Sequence, residues 1–286
     1  MEIKRKPDWL KIRISTHGDY QAVNELVQKH RLHTICESGD CPNKGECWSH
    51  GTATFMILGN ICTRGCKFCN VATGKPLPVN PAEPEEVAES ISVMKLKYAV
   101  VTSVDRDDLP DYGASFWAEA IRAIKQKNPT TNLEVLIPDF QGNMDYLQKV
   151  IDARPDVISH NIETVSRLTP LVRSKAQYNS SLKVLDYISK SGIVSKSGIM
   201  LGLGETEAEV LETMDDLLAA GCQILTIGQY LQPTRNNYPV IEYITPQQFE
   251  KLKQIGKQKG FKFIESAPLV RSSYHAEKFL ESEHKN

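Results

Sequence analysis

Six short runs rich in β-branched and apolar residues, at 54–58, 98–103, 133–137, 156–160, 195–201 and 223–228, alternate with longer amphipathic runs at 84–94, 115–127, 144–153, 180–191 and 205–220. In the longer runs apolar residues recur three and four apart. Val210, Leu211, Met214, Leu217 and Leu218 do so, which gathers them on one face of a helix. Six β-α units in a row call for a parallel sheet with crossover helices. A doubly wound sheet and a partial (β/α)6 barrel both satisfy the pattern. Each puts ligand chemistry beyond the C-terminal ends of the strands. The loops that follow the six strands in turn, "CTRGCKFC", "TSVDRDDL", "PDF", "NIET", "GLGET" and "QYLQPT", therefore share one rim.

The rest of the chain reads as extensions to one body rather than as separate domains. Residues 1–50 precede the alternation, which occupies 51–244, and residues 245–286 follow it. "TPQQFEKLKQIGKQKG" has a capping Thr245, a proline at the first helical position and a closing Gly260, so it is expected to form a terminal helix. "FKFIESAPLVRSSYHAEKFL" then returns as a strand-like run and a polar loop. With 34 Lys and Arg against 35 Asp and Glu, the net charge of -1 gives no global reason to expect a nucleic-acid or membrane partner. No apolar stretch reaches the length of a transmembrane helix, and "MEIKRKPDWLKIRI" lacks the apolar core of a secretory signal. The expected location is the cytoplasm.

Seven cysteines in a reducing compartment argue against a disulfide framework, and six of them crowd between Cys36 and Cys69. The seventh, Cys222, opens an apolar run and reads as a buried small side chain. The six form two trios: Cys36, Cys41 and Cys47, spaced five and six apart, and Cys62, Cys66 and Cys69, spaced four and three. A structural zinc site wants four ligands on Cys-x2-Cys knuckles, and only Cys66 and Cys69 make one. An iron-sulfur cubane accepts irregular spacing, because each thiolate binds a different iron. Three thiolates then hold three corners and leave the fourth iron open for another ligand.

The Cys-x3-Cys-x2-Cys spacing after a first strand, with the aromatic Phe68 before its last cysteine, resembles the signature of the radical S-adenosylmethionine enzymes. The first trio, "RSSYHA" at 271–276, and the segments "PDWLK", "CPNKGECW", "TSVDRDDLPDYGA", "HNIETV", "GLGET" and "YLQPT" extend the likeness over nearly the whole chain, to the lipoyl synthase family. That resemblance implies a radical-generating four-iron, four-sulfur cluster on Cys62, Cys66 and Cys69, with S-adenosylmethionine on its open iron. It also implies an auxiliary four-iron, four-sulfur cluster on Cys36, Cys41 and Cys47, with Ser273, or else Ser272, as fourth ligand. The auxiliary cluster would supply two sulfur atoms to carbons 6 and 8 of an octanoyl-lysine. The implied partners are octanoylated carriers, namely the lipoyl domains of 2-oxoacid dehydrogenases and the glycine cleavage H protein, with a ferredoxin or flavodoxin reductant and a carrier that rebuilds the spent cluster.

Lesser signals are weighed on the same scale. Asn161, Glu163 and Arg173 are candidates for binding S-adenosylmethionine, against ordinary rim and cap chemistry. "GLGE" at 202–205 lacks the full dinucleotide fingerprint and reads as a tight turn against adenosine. Asp105, Asp107 and Asp108 are expected to be charge-paired around Arg106 rather than to hold a divalent ion. Lys4, Arg5, Lys6, Lys11 and Arg13 read as a solvated segment before they read as a guide for an acidic carrier, and His275 as a structural hydrogen-bonding residue. The rival functions are a non-catalytic iron-sulfur electron carrier or scaffold, a zinc-stabilised nucleic-acid binder and another sulfur-inserting radical enzyme.

Overall fold

The computed structural model describes residues 5–11, 20–29, 32–50 and 52–274, in two compact units. One is built from Ile14–Gly65 and Asn70–Ser159, the other from Met1–Arg13, Cys66–Cys69 and His160–Asn286.

In the first unit the described chain runs through α1 (Tyr20–Lys29), β1 (His33–Thr34), α2 (Ile35–Ser38), α3 (Lys44–Ser49), β2 (Thr54–Ile57), β3 (Ile61–Cys62) and β4 (Ala72–Thr73). It continues with α4 (Glu83–Val93), β5 (Tyr98–Ser103), α5 (Ala114–Lys127), β6 (Asn132–Leu136), α6 (Met144–Asp152) and β7 (Val157–Ser159). The strands lie in the order β1-β2-β5-β6-β7, parallel throughout except for β1, which pairs antiparallel with β2. All four residues of β2 are buried, which is why its sequence is a continuous apolar run rather than an alternating one. The crossover helices carry their own boundaries. Pro84 and three glutamates fill the first turn of α4, lysines close α5, and the Asn143 side chain accepts the Asp145 and Tyr146 N–H groups at the start of α6.

The second unit holds α7 (Thr169–Val172), α8 (Tyr178–Lys190), β8 (Val194–Leu201), α9 (Glu207–Ala219), β9 (Ile224–Gln229), α10 (Pro246–Lys259) and β10 (Phe263–Ser266). Strands β8, β9 and β10 pair in that order, all parallel. Thr206 with Glu209 and Thr245 with Gln248 form reciprocal capping boxes that start α9 and α10, and Gly260 ends α10 at φ 113°. Leu185, Leu203, Leu217, Leu225 and Phe249 are among its core residues.

The alternation read from the sequence is therefore a mostly parallel α/β arrangement, with helix and strand bounds close to those expected. The antiparallel β1 and the short β3–β4 pair are additions. Runs of two residues carry no periodicity to read.

Candidate functional site

β2 ends at Ile57, and the chain turns at once through Leu58 (φ 67°) and Gly59 (φ 88°). A leucine in the left-handed region is strained and needs fixing from outside. Here the Glu83 carboxylate accepts the Leu58 N–H at 2.7 Å, and Arg106 Nη1 donates to the Leu58 carbonyl at 3.1 Å. Burial pushes the Glu83 carboxyl up to about 7, against the pull of the Leu58 and Gly59 N–H groups.

Three residues on, Cys62 is buried in β3. Its sulfur accepts the Asp105 N–H at 3.3 Å and the Arg64 N–H at 3.4 Å, and Asp105 Oδ2 lies 3.7 Å from it. Two backbone donors aimed at one sulfur suit a thiolate ligand, whose negative charge they stabilise. Arg64, the middle residue between Cys62 and Cys66, is only 5% exposed and binds three carboxylates: Asp107 through both nitrogens of its fork (2.8 and 2.9 Å), Asp139 at 2.8 Å and Asp105 at 3.3 Å. Burial opposes its charge, yet the Asp107 hydrogen bond and the surrounding carboxylates hold the guanidinium above its ordinary basicity. The aspartates are charge-paired as expected, but Arg106 takes only Asp108, while Asp105 and Asp107 belong to Arg64. Neither Arg64 nor Asp139 is singled out by the motif spacing alone. The signal was there: one arginine inside the cysteine motif, and acidic loops after the second and third strands on the same rim.

The second unit fixes the other two cysteines of the motif. Lys67 N–H donates to the Val172 carbonyl at 2.7 Å, Tyr238 N–H to the Lys67 carbonyl at 2.8 Å, and Asn237 Nδ2 to the Cys69 carbonyl at 2.9 Å. Phe68 packs against the apolar core, and Cys66 Sγ lies 3.6 Å from Ser174 Oγ. These anchors act on the backbone of the segment that carries Cys66 and Cys69. Within the same unit Asn161, Glu163 and Arg173 come together. Burial pushes the Glu163 carboxyl above its ordinary range, offset by the Arg173 charge and an Asn161 side-chain hydrogen bond. Arg173 Nη1 also donates to Ser181 Oγ at 2.9 Å, and the His160 ring lies 2.9 Å from that hydroxyl. Asn161 Oδ1 is buried with no hydrogen-bond partner, an acceptor waiting for a donor such as a sugar hydroxyl. "GLGE" forms the expected tight turn. Its Gly202 and Leu203 N–H groups are taken by the Glu205 carboxylate at 2.5 and 2.9 Å, so they do not cradle a phosphate.

In the first unit, Cys36 lies in α2, Cys47 in α3 and Cys41 between them, its N–H bonded to the Cys36 carbonyl. Burial pushes the Cys36 thiol up to about 11 and the Cys47 thiol to about 12, and mutual repulsion with the neighbouring cysteines adds to both. Such thiols stay protonated until a cation compensates them. Trp48 is fully buried in the same apolar cluster as Cys36, and its indole N–H bears on the Cys36 sulfur, where it favours the thiolate. Among the described residues no group of three or more His, Cys, Asp or Glu is arranged to hold a metal ion. The trio's fit to a cluster therefore rests on donor chemistry and burial.

Ser272 and Ser273 are part-exposed in the second unit, on a turn closed by the Tyr274 N–H to the Arg271 carbonyl. His275 lies outside the described residues, as do Lys4 and Arg13, and Lys11 pairs with Asp8 at 2.5 Å. Cys222 is buried, its thiol donating to the Ile224 carbonyl at 3.2 Å. None of the seven cysteines forms a disulfide. No helix among the described residues is long and apolar enough to cross a membrane.

Residues 56–217 match the Radical SAM superfamily. A lipoyl synthase of Bacteroides thetaiotaomicron is 65% identical over 276 residues, covering 96% of this chain and 98% of that protein. A lipoyl synthase of Treponema denticola is 62% identical over 277 residues, covering 97% and 96%. In fold, the chain resembles SuiB of Streptococcus suis bound to S-adenosylmethionine, with a TM-score of 0.60 at 10% identity, over 79% of this chain and 54% of that one. It also resembles methylornithine synthase, with a TM-score of 0.58 at 11% identity, over 84% and 70%.

Proposed function

The chain belongs to the lipoyl synthase family of the radical SAM superfamily, and from that membership we propose how its residues divide the work of inserting sulfur into a carrier-bound octanoyl chain. It is an enzyme that uses S-adenosylmethionine and iron-sulfur chemistry. Cys62, Cys66 and Cys69 hold the radical-generating four-iron, four-sulfur cluster. Cys36, Cys41 and Cys47 hold a second one, with Ser273 as its oxygen ligand. The observation that carries this reading is the 65% identity over 96% of the chain, a span that takes in both trios.

When bound, the cluster on Cys62, Cys66 and Cys69 would supply the electron for reductive cleavage of S-adenosylmethionine, and the second cluster would supply the sulfur atoms. The chain's own residues do the rest. Asn161 accepts a hydroxyl of the bound S-adenosylmethionine through its unpartnered Oδ1, and Arg173 pairs with the carboxylate at its methionine end. Glu163 holds Asn161 and Arg173 in place. The turn at 202–205 packs against the adenosine. We read the parallel units as a partial (β/α)6 barrel at 51–244, with the extensions at 1–50 and 245–286 bringing the second cluster and Ser273 to its open end. The substrate is an octanoyl-lysine on a lipoyl domain or H protein. Electrons come from a ferredoxin or flavodoxin, and a separate carrier restores the spent cluster. A reducing compartment such as the cytoplasm suits seven cysteines without a disulfide.

The test is anaerobic: reconstituted protein, S-adenosylmethionine, a strong reductant and a peptide bearing octanoyl-lysine, with the peptide read by mass spectrometry. The expected product gains two sulfurs as the dithiol under the reductant, becoming two hydrogens lighter once an added oxidant closes the disulfide, with two 5'-deoxyadenosines formed. Formation of 5'-deoxyadenosine over an unchanged peptide removes the substrate assignment. No change in either, in protein with intact clusters, favours the electron carrier or scaffold.

A further inference from the structure

Three carboxylates on one buried guanidinium make poor sense as a device for stability. Taking Asp107, Asp139 and Arg64 out of water is costly, and the attraction between them often does no more than offset that cost. Buried ion clusters of this sort are better explained by the geometry that they fix. Here the geometry bears on a sulfur. Asp105 supplies one of the two N–H groups on Cys62 Sγ, and Arg64 supplies the other from its own backbone. The Arg64 side chain reaches back over the loop after β5 to hold both ends of the segment that carries the first donor, Asp105 at 3.3 Å and Asp107 at 2.8 Å. Thr63 completes the clasp. Its N–H and hydroxyl donate to the Asp105 carbonyl at 3.0 and 2.9 Å, and its oxygen accepts the Asp107 N–H at 3.0 Å. Asp139, whose carboxylate also accepts the Gln141 N–H, ties the fork to the loop after β6.

We propose that Arg64 is a positioning residue for the radical-generating cluster: by clamping the Asp105–Asp107 loop to the cysteine loop, it keeps two backbone N–H groups on the Cys62 sulfur and so sets that ligand's retention of iron and the cluster's reduction potential. Hydrogen bonds to ligating sulfur withdraw charge from the cluster and make the reduced form easier to reach. Lysine cannot replace arginine here, because a point charge cannot span Asp107 bidentately while also meeting Asp139 and Asp105. The proposal rests on the assignment of Cys62, Cys66 and Cys69 to that cluster.

The experiment uses the full chain carrying Cys36, Cys41 and Cys47 as alanines, so that one cluster is observed alone. Arg64→Lys and the near-isosteric Asp139→Asn are made in that background. Folding is checked by thermal melts, iron release to a chelator is timed, and the cluster is titrated by EPR-monitored reduction. The account expects iron release about tenfold faster in Arg64→Lys, as for other partners of metal ligands. It also expects a more negative reduction potential, and a smaller shift of both in the same direction for Asp139→Asn. A folded Arg64→Lys protein with unchanged release and potential overturns the proposal. If Arg64→Lys does not fold, Asp139→Asn decides by the same two readings. Absence of any cluster signal in the parent, with the three cysteines of the motif intact, removes the cluster assignment itself and not merely the role of Arg64.

Discussion

Single residues separate the two cysteine trios by what each loss leaves behind. Cys62→Ala is expected to abolish both 5'-deoxyadenosine formation and product. Cys36→Ala or Cys47→Ala should leave 5'-deoxyadenosine formation within about threefold of the parent, since a distinct site is affected, while sulfur insertion falls below detection. Product and 5'-deoxyadenosine assays on the same samples check this, and equal loss of both in the Cys36 variant would count against the division. Glu83 offers a test by pH. Its folded-state value of about 7 stands above the ordinary 4.5, so the native state binds that proton more tightly than the unfolded chain. The contribution is complete below about pH 4.5 and is lost as the pH rises through about 7, a change on the order of 3 kcal/mol if no other group compensates. Urea unfolding of the parent should weaken over that window, and Glu83→Gln should flatten the slope. The two cysteine trios stand out in the sequence because their spacing needs no tertiary structure to be seen. Glu83 does not, because nothing local in "PAEPEE" says which glutamate will meet Leu58, 25 residues back.

Whole elements were legible where local signals agreed. The capping Thr245, the proline at the first helical position and the closing Gly260 all pointed the same way for the helix at 246–259, and the structure keeps each of them. The turn after β8 shows the converse, since its shape is set by residues distant in sequence. Gly202 sits at φ 96°, and a methyl there would come within 2.2 Å of Gln229 Nε2 and 2.4 Å of the Glu242 carbonyl. Gln229 Nε2 itself donates to the carbonyls of Leu201, Tyr230 and Glu242, and its Oε1 accepts the Ile244 N–H. Gly202→Ala should therefore cost at least about 2 kcal/mol by chemical unfolding, through backbone strain and displacement of that amide. Thr206→Ala, five residues from Leu201 on the same connection, should cost only about 1 kcal/mol, the loss of one helix cap. Comparable losses for the two would mean that the turn tolerates a side chain.

Over the whole molecule, the parallel α/β order followed from the alternation of runs, because a β-α-β connection has few ways to bury its apolar faces. Which residues hold the motif's backbone did not follow. Cys62 meets the Asp105 N–H, and the Lys67 backbone is bonded to Val172 and Tyr238, partners distant in sequence in each case. Anaerobically reconstituted protein should carry about eight irons per chain, falling to about four when either trio is replaced by alanine. Iron and sulfide analysis checks the count, and a parent with only four would leave no second cluster. The central claim is that one trio makes the radical while the other surrenders sulfur. It is tested most directly by reconstituting the chain with isotopically heavy sulfide, removing the excess, and running one turnover on an octanoyl-lysyl peptide. The account predicts that both inserted sulfurs carry the heavy label and that product stops near one per chain; light sulfur in the product, or continued turnover without a sulfur supply, would contradict it.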